Sequence, residues 1–418
     1  MKKLFFDSGS IDGEIADCLV WVGDNLAPRP CSGFAWKNGR VMEIRESDGS
    51  PEKLPRFGIL PGLVNAHTHI GDCFLTEAAV AMTLEEAFFR PDGYKYKALN
   101  MISAGEHIEH MTRFHLEMAA TGTLAHADFR EQGVEGARRL REASNRSGVR
   151  SFILSQLQDS PFTGAELDTG TAPLPSAARE ELLKIMEISD GFSESTMNDL
   201  TPSAWREIRE ITTTHHRARA VHCLENDGYR SLSLARSGKG DLEQALTLYD
   251  PDLIVHLTVA NPEEIALLAA SGKPAVINPR ANAALGLPLP PVAALLKAGI
   301  PLLLGTDNGI LNGPDLFREL DFSWRLARSQ QGDGRGPHPR DILKMATSNF
   351  RHTPWGTEIP GSLSQYMPAN FIVIDLTAPC FQHSQDLTAT LVTRTAPEHI
   401  LATVRNGRVL HQREPRHD

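Results

Sequence analysis

Between residues 57 and 306 short apolar runs alternate with longer stretches of helical periodicity. The runs fall at 59–67, 123–130, 150–156, 185–193, 218–225, 253–258, 275–279 and 301–306. Bounded by turn residues, they read as buried strands; the intervening stretches, among them 104–120, 177–184, 203–212, 262–270 and 290–298, read as helices. Such alternation implies parallel βα units, and eight of them match an α/β fold of the (β/α)8 TIM-barrel type over residues 58–352. The flanks differ. Strand-like pieces at 19–22, 33–36 and 40–44, the last after an Asn38-Gly39 turn, are matched beyond residue 353 by pieces at 371–375, 389–394 and 403–410, with a turn at Asn406-Gly407. The pattern predicts a small composite β domain formed by residues 1–57 and 353–418 beside the barrel.

Composition narrows the class of partner. The 418 residues carry a net charge of -10. A nucleic-acid binder needs a basic face to displace counterions from phosphates, so the expected partner is a small molecule held in a pocket. The five cysteines (Cys18, Cys31, Cys73, Cys223 and Cys380) are odd in number and lack Cys-x-x-Cys spacing, which suits a reducing compartment without disulfides. Lys2-Lys3-Leu4-Phe5-Phe6-Asp7 is too short in its apolar part for a signal peptide, and no run approaches the roughly 18 apolar residues of a membrane span. The expectation is a cytoplasmic protein that meets no membrane.

Four places carry candidate chemistry. Pro61-Gly62-Leu63-Val64-Asn65-Ala66-His67-Thr68-His69 puts two histidines two apart at the end of the first strand, where both point the same way. His222-Cys223-Leu224-Glu225 ends the fifth; a helical turn there would bring His222 and Glu225 to one side. His256 lies in the sixth strand, where a lone histidine is commonly a satisfied core residue. Asp307 ends the eighth, where an aspartate is also a common helix N-cap. Taken together, these strands place His or Asp at the barrel face where active sites form. Three histidines and a carboxylate suit one zinc or iron ion with a position left for water. Arg130 and Arg280 follow strand ends at the mouth and could reach an anionic substrate group, or pair with neighbouring acids such as Asp128 and Glu131. Of the other histidines, His107, His110 and His115 share a helix and are expected to face solvent. His215 and His216 precede the fifth strand at the far end of the barrel, and His399, His411 and His417 belong to the C-terminal region.

With these residues the chain resembles the amidohydrolase superfamily over almost its whole length. Asn278-Pro279-Arg280-Ala281-Asn282 followed by Ala284-Leu285-Gly286 is similar to a segment of the one-metal branch that holds guanine deaminase, S-adenosylhomocysteine deaminase and the triazine hydrolases, and Val404-Arg405-Asn406-Gly407-Arg408-Val409 is similar to that branch's closing strand pair. The resemblance implies that His67, His69, His222 and Asp307 bind the metal, that Glu225 shuttles protons, and that His256 holds the attacking water, with Asp307 also able to take its proton. Asn282, and Asp72 in the loop after His69, join Arg130 and Arg280 as candidate substrate contacts. No lysine ends the fourth strand (Lys184 precedes it), so one metal is implied rather than two. The relatives imply a homodimer. Ile70-Gly71-Asp72-Cys73-Phe74 lacks the arginine-glycine of many deaminases, and the second strand ends in an unfamiliar His126-Ala127-Asp128-Phe129-Arg130-Glu131, which together imply a distinct subgroup. The implied activity is hydrolytic deamination of an amino-substituted purine, pyrimidine or pterin-like ring. Two alternatives stand beside it: a hydrolase with another leaving group (ring amide, alkylamine or chloride), and an inactive scaffold relative.

Overall fold

The computed structural model describes residues 10–47 and 53–413. The N-terminal Lys2 to Asp7 stretch and His417 lie outside the described residues. The strands are Gly13–Val22 (β1), Ala27–Lys37 (β2), Arg40–Glu46 (β3), Phe57–Pro61 (β4), Leu63–His69 (β5), Thr123–Arg130 (β6), Arg150–Ser155 (β7), Gly191–Glu194 (β8), Ala218–Cys223 (β9), Leu253–His256 (β10), Ala275–Ile277 (β11), Leu302–Leu304 (β12), Asp307–Asn308 (β13), Phe371–Asp375 (β14), Ile400–Arg405 (β15) and Arg408–Gln412 (β16).

They form two sheets. The first runs β16-β15-β14-β4-β1-β2-β3 and joins both ends of the chain; it is antiparallel except where β1 meets β4. Phe34, Trp36 and Phe371 pack edge-on in its core. The second is parallel throughout, in the order β12-β11-β10-β9-β8-β7-β6-β5-β13. Its outer members, β12 and β13, are halves of one eighth strand. β12 pairs with β11 and β13 with β5 (Asp307 opposite Thr68, Asn308 opposite His69), so the barrel closes through the break between them. Asn65 clamps that break: its amide donates to Thr306 Oγ1 (2.7 Å) and accepts from Thr306 N (3.1 Å). Gly305 fits there because a Cβ would fall 2.6 Å from His67 Cβ. Among the described residues no helix is long and apolar enough to cross a membrane, and the five cysteines are free.

Three expectations need correction. The run 59–67 is two strands. At Gly62 the chain changes partners, Gly62 N donating to Asn370 O (3.1 Å) and Leu63 N to Gly122 O (3.0 Å), so β4 serves the first sheet and β5 the barrel. In the run 185–193 the first residues end a helix, Ser176–Ile188, whose buried face is Leu182, Ile185 and Met186; the strand is Gly191–Glu194 alone. Residues 389–394 belong to a helix, Leu387–Arg394, capped by Asp386 through Ala389 N (3.0 Å). A terminal cap and two adjacent buried residues, Leu391 and Val392, outweigh the β propensity of its threonines.

Candidate metal centre and its cavity

His67 and His69 end β5, His222 lies on β9, His256 ends β10, and Asp307 opens β13, all at one face of the barrel. Asp307 Oδ1 lies 3.2 Å from His67 Nε2 and 3.8 Å from His69 Nε2. One donor atom from each of His67, His69 and Asp307 falls within 4.8 Å of the others, and the same holds for His67, His222 and His256. Phe129 floors the cluster, its ring edge-on to His67 at 4.2 Å. His256 (φ 81°) and Asp307 (φ 65°) sit in the left-handed region, as does Leu224 (φ 55°), an unfavourable backbone state that clusters at functional sites. At Leu224 the chain turns so that Glu225 reaches the cavity beside His222; the helix expected there begins later, at Asp227.

The outer nitrogens of His69 and His222 are taken, while His67 Nδ1 is buried without a hydrogen-bond partner. His69 Nδ1 lies 2.7 Å from Glu131 Oε1, and His222 Nδ1 3.1 Å from the Glu194 carbonyl. Both partners accept, so each ring carries a proton on Nδ1 and turns Nε2 inward. With the Asn278 amide nitrogen donating to the carbonyls of Gly305 (3.3 Å) and Ile277 (3.2 Å), its oxygen faces His256 Nδ1 and fixes that ring the same way. Burial, with neighbouring imidazoles adding to it, holds His67, His222 and His256 well below the usual histidine range, so they are neutral at pH 7. Neutral imidazoles with inward lone pairs beside one carboxylate are the donor chemistry of a divalent cation site. The fourth barrel strand ends in Glu194, which pairs with Arg90 instead of offering a second metal a bridge.

Glu225 lines a cavity together with His69, His222, His256, Asp307 and Lys95. Its Oε1 is 3.8 Å from His256 Nε2. Burial, reinforced by the Asp307 carboxylate, pushes the Glu225 carboxyl up to about 8. This has a consequence for the metal-free protein. The folded value exceeds the ordinary glutamate value of 4.5, so the stability associated with this group is full below 4.5 and is lost as pH rises to 8 and beyond. Glu225→Gln, which mimics the protonated carboxyl, is expected to stabilise the metal-free protein at pH 9 by a few kcal/mol and to leave it unchanged at pH 4. Urea unfolding at the two pH values checks this; equal effects at both would contradict it.

None of the four expected substrate contacts, Arg130, Arg280, Asn282 and Asp72, is among the residues that line this cavity. Arg130 is wholly buried and bound to Glu131, with Asp128 Oδ1 at 3.6 Å. A guanidinium so enclosed needs its carboxylates and has none of its surface left for a ligand. Arg280 pairs with Glu319 (3.2 Å). Asp72 accepts from Asn308 Nδ2 (2.8 Å) and Ile310 N (3.1 Å), and the Asn282 amide lies 3.5 Å from His256 Nδ1. Two of the helix histidines are also not at the surface. His107 is buried and bound to the Gly71 carbonyl (2.8 Å), and His115 is buried against His126 (2.9 Å), because both lie on the helix face that packs Met111 and Met118 inward. What the pattern of residues missed is the wall itself: Phe88, Lys95 and Tyr96 from the insertion after β5, Ser195 after β8, and Tyr229. A second cavity shares Phe88, Ser195 and Tyr229 with the first and continues past Arg90, Asp199 and Arg236.

The amidohydrolase family profile matches residues 59–410. A protein of Methanothermobacter thermautotrophicus, whose name places it provisionally among aminohydrolases, is 29% identical over 93% of this chain and 96% of its own. A 5-methylthioadenosine/S-adenosylhomocysteine deaminase of Halobacterium salinarum is 27% identical over 94% of this chain and 89% of its own. Among solved structures, an adenosine deaminase from Xanthomonas campestris with bound zinc superposes with a TM-score of 0.78 at 19% identity, over 94% of this chain and 92% of that one, and so shares the fold. The chain belongs to the amidohydrolase family and is a hydrolase of carbon–nitrogen bonds.

Proposed function

We propose that the protein is a metal-dependent hydrolytic deaminase of an amino-substituted heterocycle, with one zinc or iron ion held by His67, His69, His222 and Asp307. The observation that carries this reading is Glu225: a buried carboxyl, protonated at neutral pH, on the wall of the cavity that holds the histidines and Asp307. A bound divalent cation lowers the pKa of a coordinated water and so supplies a nucleophile at neutral pH. The remaining work belongs to side chains. His256, neutral and fixed by Asn278, orients the attacking water and accepts a hydrogen bond from it. Asp307 takes its proton. Glu225 donates its proton to the ring nitrogen next to the carbon under attack, takes the second proton of the added water as the carbonyl forms and delivers it to the departing amine, which leaves as ammonia; the proton held by Asp307 then reloads Glu225. Phe88, Tyr96 and Tyr229 enclose the ring and exclude bulk water. The deaminase relative acts, by its name, on adenosine derivatives, and the adjoining second cavity supports a substrate larger than a free base.

The test is ammonia release by the full-length, metal-analysed protein across aminopurines, aminopyrimidines, pterins and their nucleosides. Release from a nucleoside in preference to its base is the expected result. Silence across the panel with about one metal per chain would reject deamination and turn the search to other leaving groups; silence without metal would return the scaffold reading.

A further inference from the structure

Glu131, the residue after β6, takes no part in the reaction outlined above, yet it meets His69, Lys95 and Arg130 at once. Its side chain is 1% exposed. Oε1 meets both His69 Nδ1 (2.7 Å) and the ammonium of Lys95, while Oε2 meets the Arg130 guanidinium. Lys95 and Arg130 are in turn held from behind. Asp72 Oδ2 lies 3.4 Å from Lys95 Nζ, and Asp128 Oδ1 lies 3.6 Å from Arg130. Asp128 also accepts from Thr68 Oγ1 (2.9 Å) and Ile70 N (2.8 Å), which ties the end of β6 to the residues on either side of His69. The loop makes room for this arrangement: a Cβ on Gly71 would stand 1.8 Å from the Arg130 guanidinium.

We infer that Glu131 is the positioning residue for His69, accepting its Nδ1–H and so holding Nε2 bare and aimed at the cation site. A carboxylate flanked by two cations acts as an acceptor only, which leaves His69 one neutral tautomer. Lys95 and Arg130 keep the carboxylate from rotating off the ring. Lys95 also lines the substrate cavity, so the same ammonium touches the metal's outer support and the space where substrate binds. The inference rests on the proposed cation site, and partners of this kind typically contribute 10- to 100-fold in metal affinity.

The experiment is zinc titration of the full-length protein against a competing chelator dye, for wild type, Glu131→Gln and Glu131→Asp. Aspartate keeps the charge that balances Lys95 and Arg130 but is one methylene too short to reach His69, so it separates orientation from folding. Both variants are expected to bind zinc about 10- to 100-fold more weakly, with Glu131→Asp keeping the metal-free unfolding midpoint of the wild type. A folded Glu131→Asp with wild-type zinc affinity overturns the inference. A second readout needs no variant: nitrogen-15 correlation of the histidines in the metal-free wild type should find His69 protonated on Nδ1, and an Nδ1 without a proton overturns the inference equally. A wild type that binds no zinc would remove the proposed reaction, and the His69 tautomer would still decide the role of Glu131.

Discussion

Glu225→Gln is expected to hold the cation as tightly as the wild type and to lose kcat by roughly 10²- to 10⁴-fold, the usual worth of a positioned proton donor. Two features separate Glu225 from the donor set. It does not belong to either cluster of converging ligand atoms, and in the metal-free protein burial and the Asp307 carboxylate push its carboxyl up to about 8, so that it meets the cation in the acid form, which is poor at binding metal. Glutamine reproduces the shape and one hydrogen-bond donor of that acid form but has no proton to transfer. Ground-state binding should therefore survive, and the loss should fall on kcat with KM little changed. Steady-state kinetics on the best substrate of the panel, beside metal content per chain, measures both. A near-normal kcat would remove Glu225 from the mechanism; a normal metal content with a large loss in KM alone would make it a binding group instead.

How much of this could be read before the fold was known depended on whether a residue's role followed from its own strand. His67 and His69 are two apart on one strand end, so their shared direction is a matter of backbone period. His222, His256 and Asp307 were legible because parallel strands bring their C-terminal ends to one face. The wall of the cavity was not legible in this way. Tyr94-Lys95-Tyr96-Lys97 reads locally as a solvated helix, and the burial of Lys95 follows only from its meeting Glu131 and Asp72 across three separate segments. Arg130 left two readings open in the sequence, a reach into the mouth or pairing with its neighbouring acids, and Glu131 and Asp128 claim the guanidinium within the wall as the second has it. Local elements went wrong where one apolar run served two structures, as at Gly62 and at residues 185–193, since periodicity does not report a change of hydrogen-bonding partner.

Asp307→Asn is expected to cost both metal and turnover while leaving the fold intact. Among the described residues Asp307 supplies the one carboxylate within 4 Å of the Nε2 atoms of both β5 histidines, at 3.2 and 3.8 Å. It does so from a left-handed backbone, φ 65°, which asparagine tolerates nearly as well as aspartate. The strand pairing that closes the barrel at Thr68 runs through the backbone and is untouched by the change. What is lost is charge: the amide is a weaker donor toward a divalent cation and cannot take a proton from water. Metal affinity should fall by more than the 10- to 100-fold typical of an outer partner, and kcat of the residual metal-loaded fraction by a further factor on the order of 10²–10⁴ for the missing base. Chelator competition gives the first, kinetics normalised to bound metal the second, and the circular-dichroism midpoint controls for folding. Lost metal with a normal rate per bound ion would make Asp307 a ligand only and leave His256 as the group that manages the water's proton. Undiminished metal with a reduced rate would make it a base that the three histidines do not need for binding. Wild-type values for both would exclude Asp307 from the centre altogether.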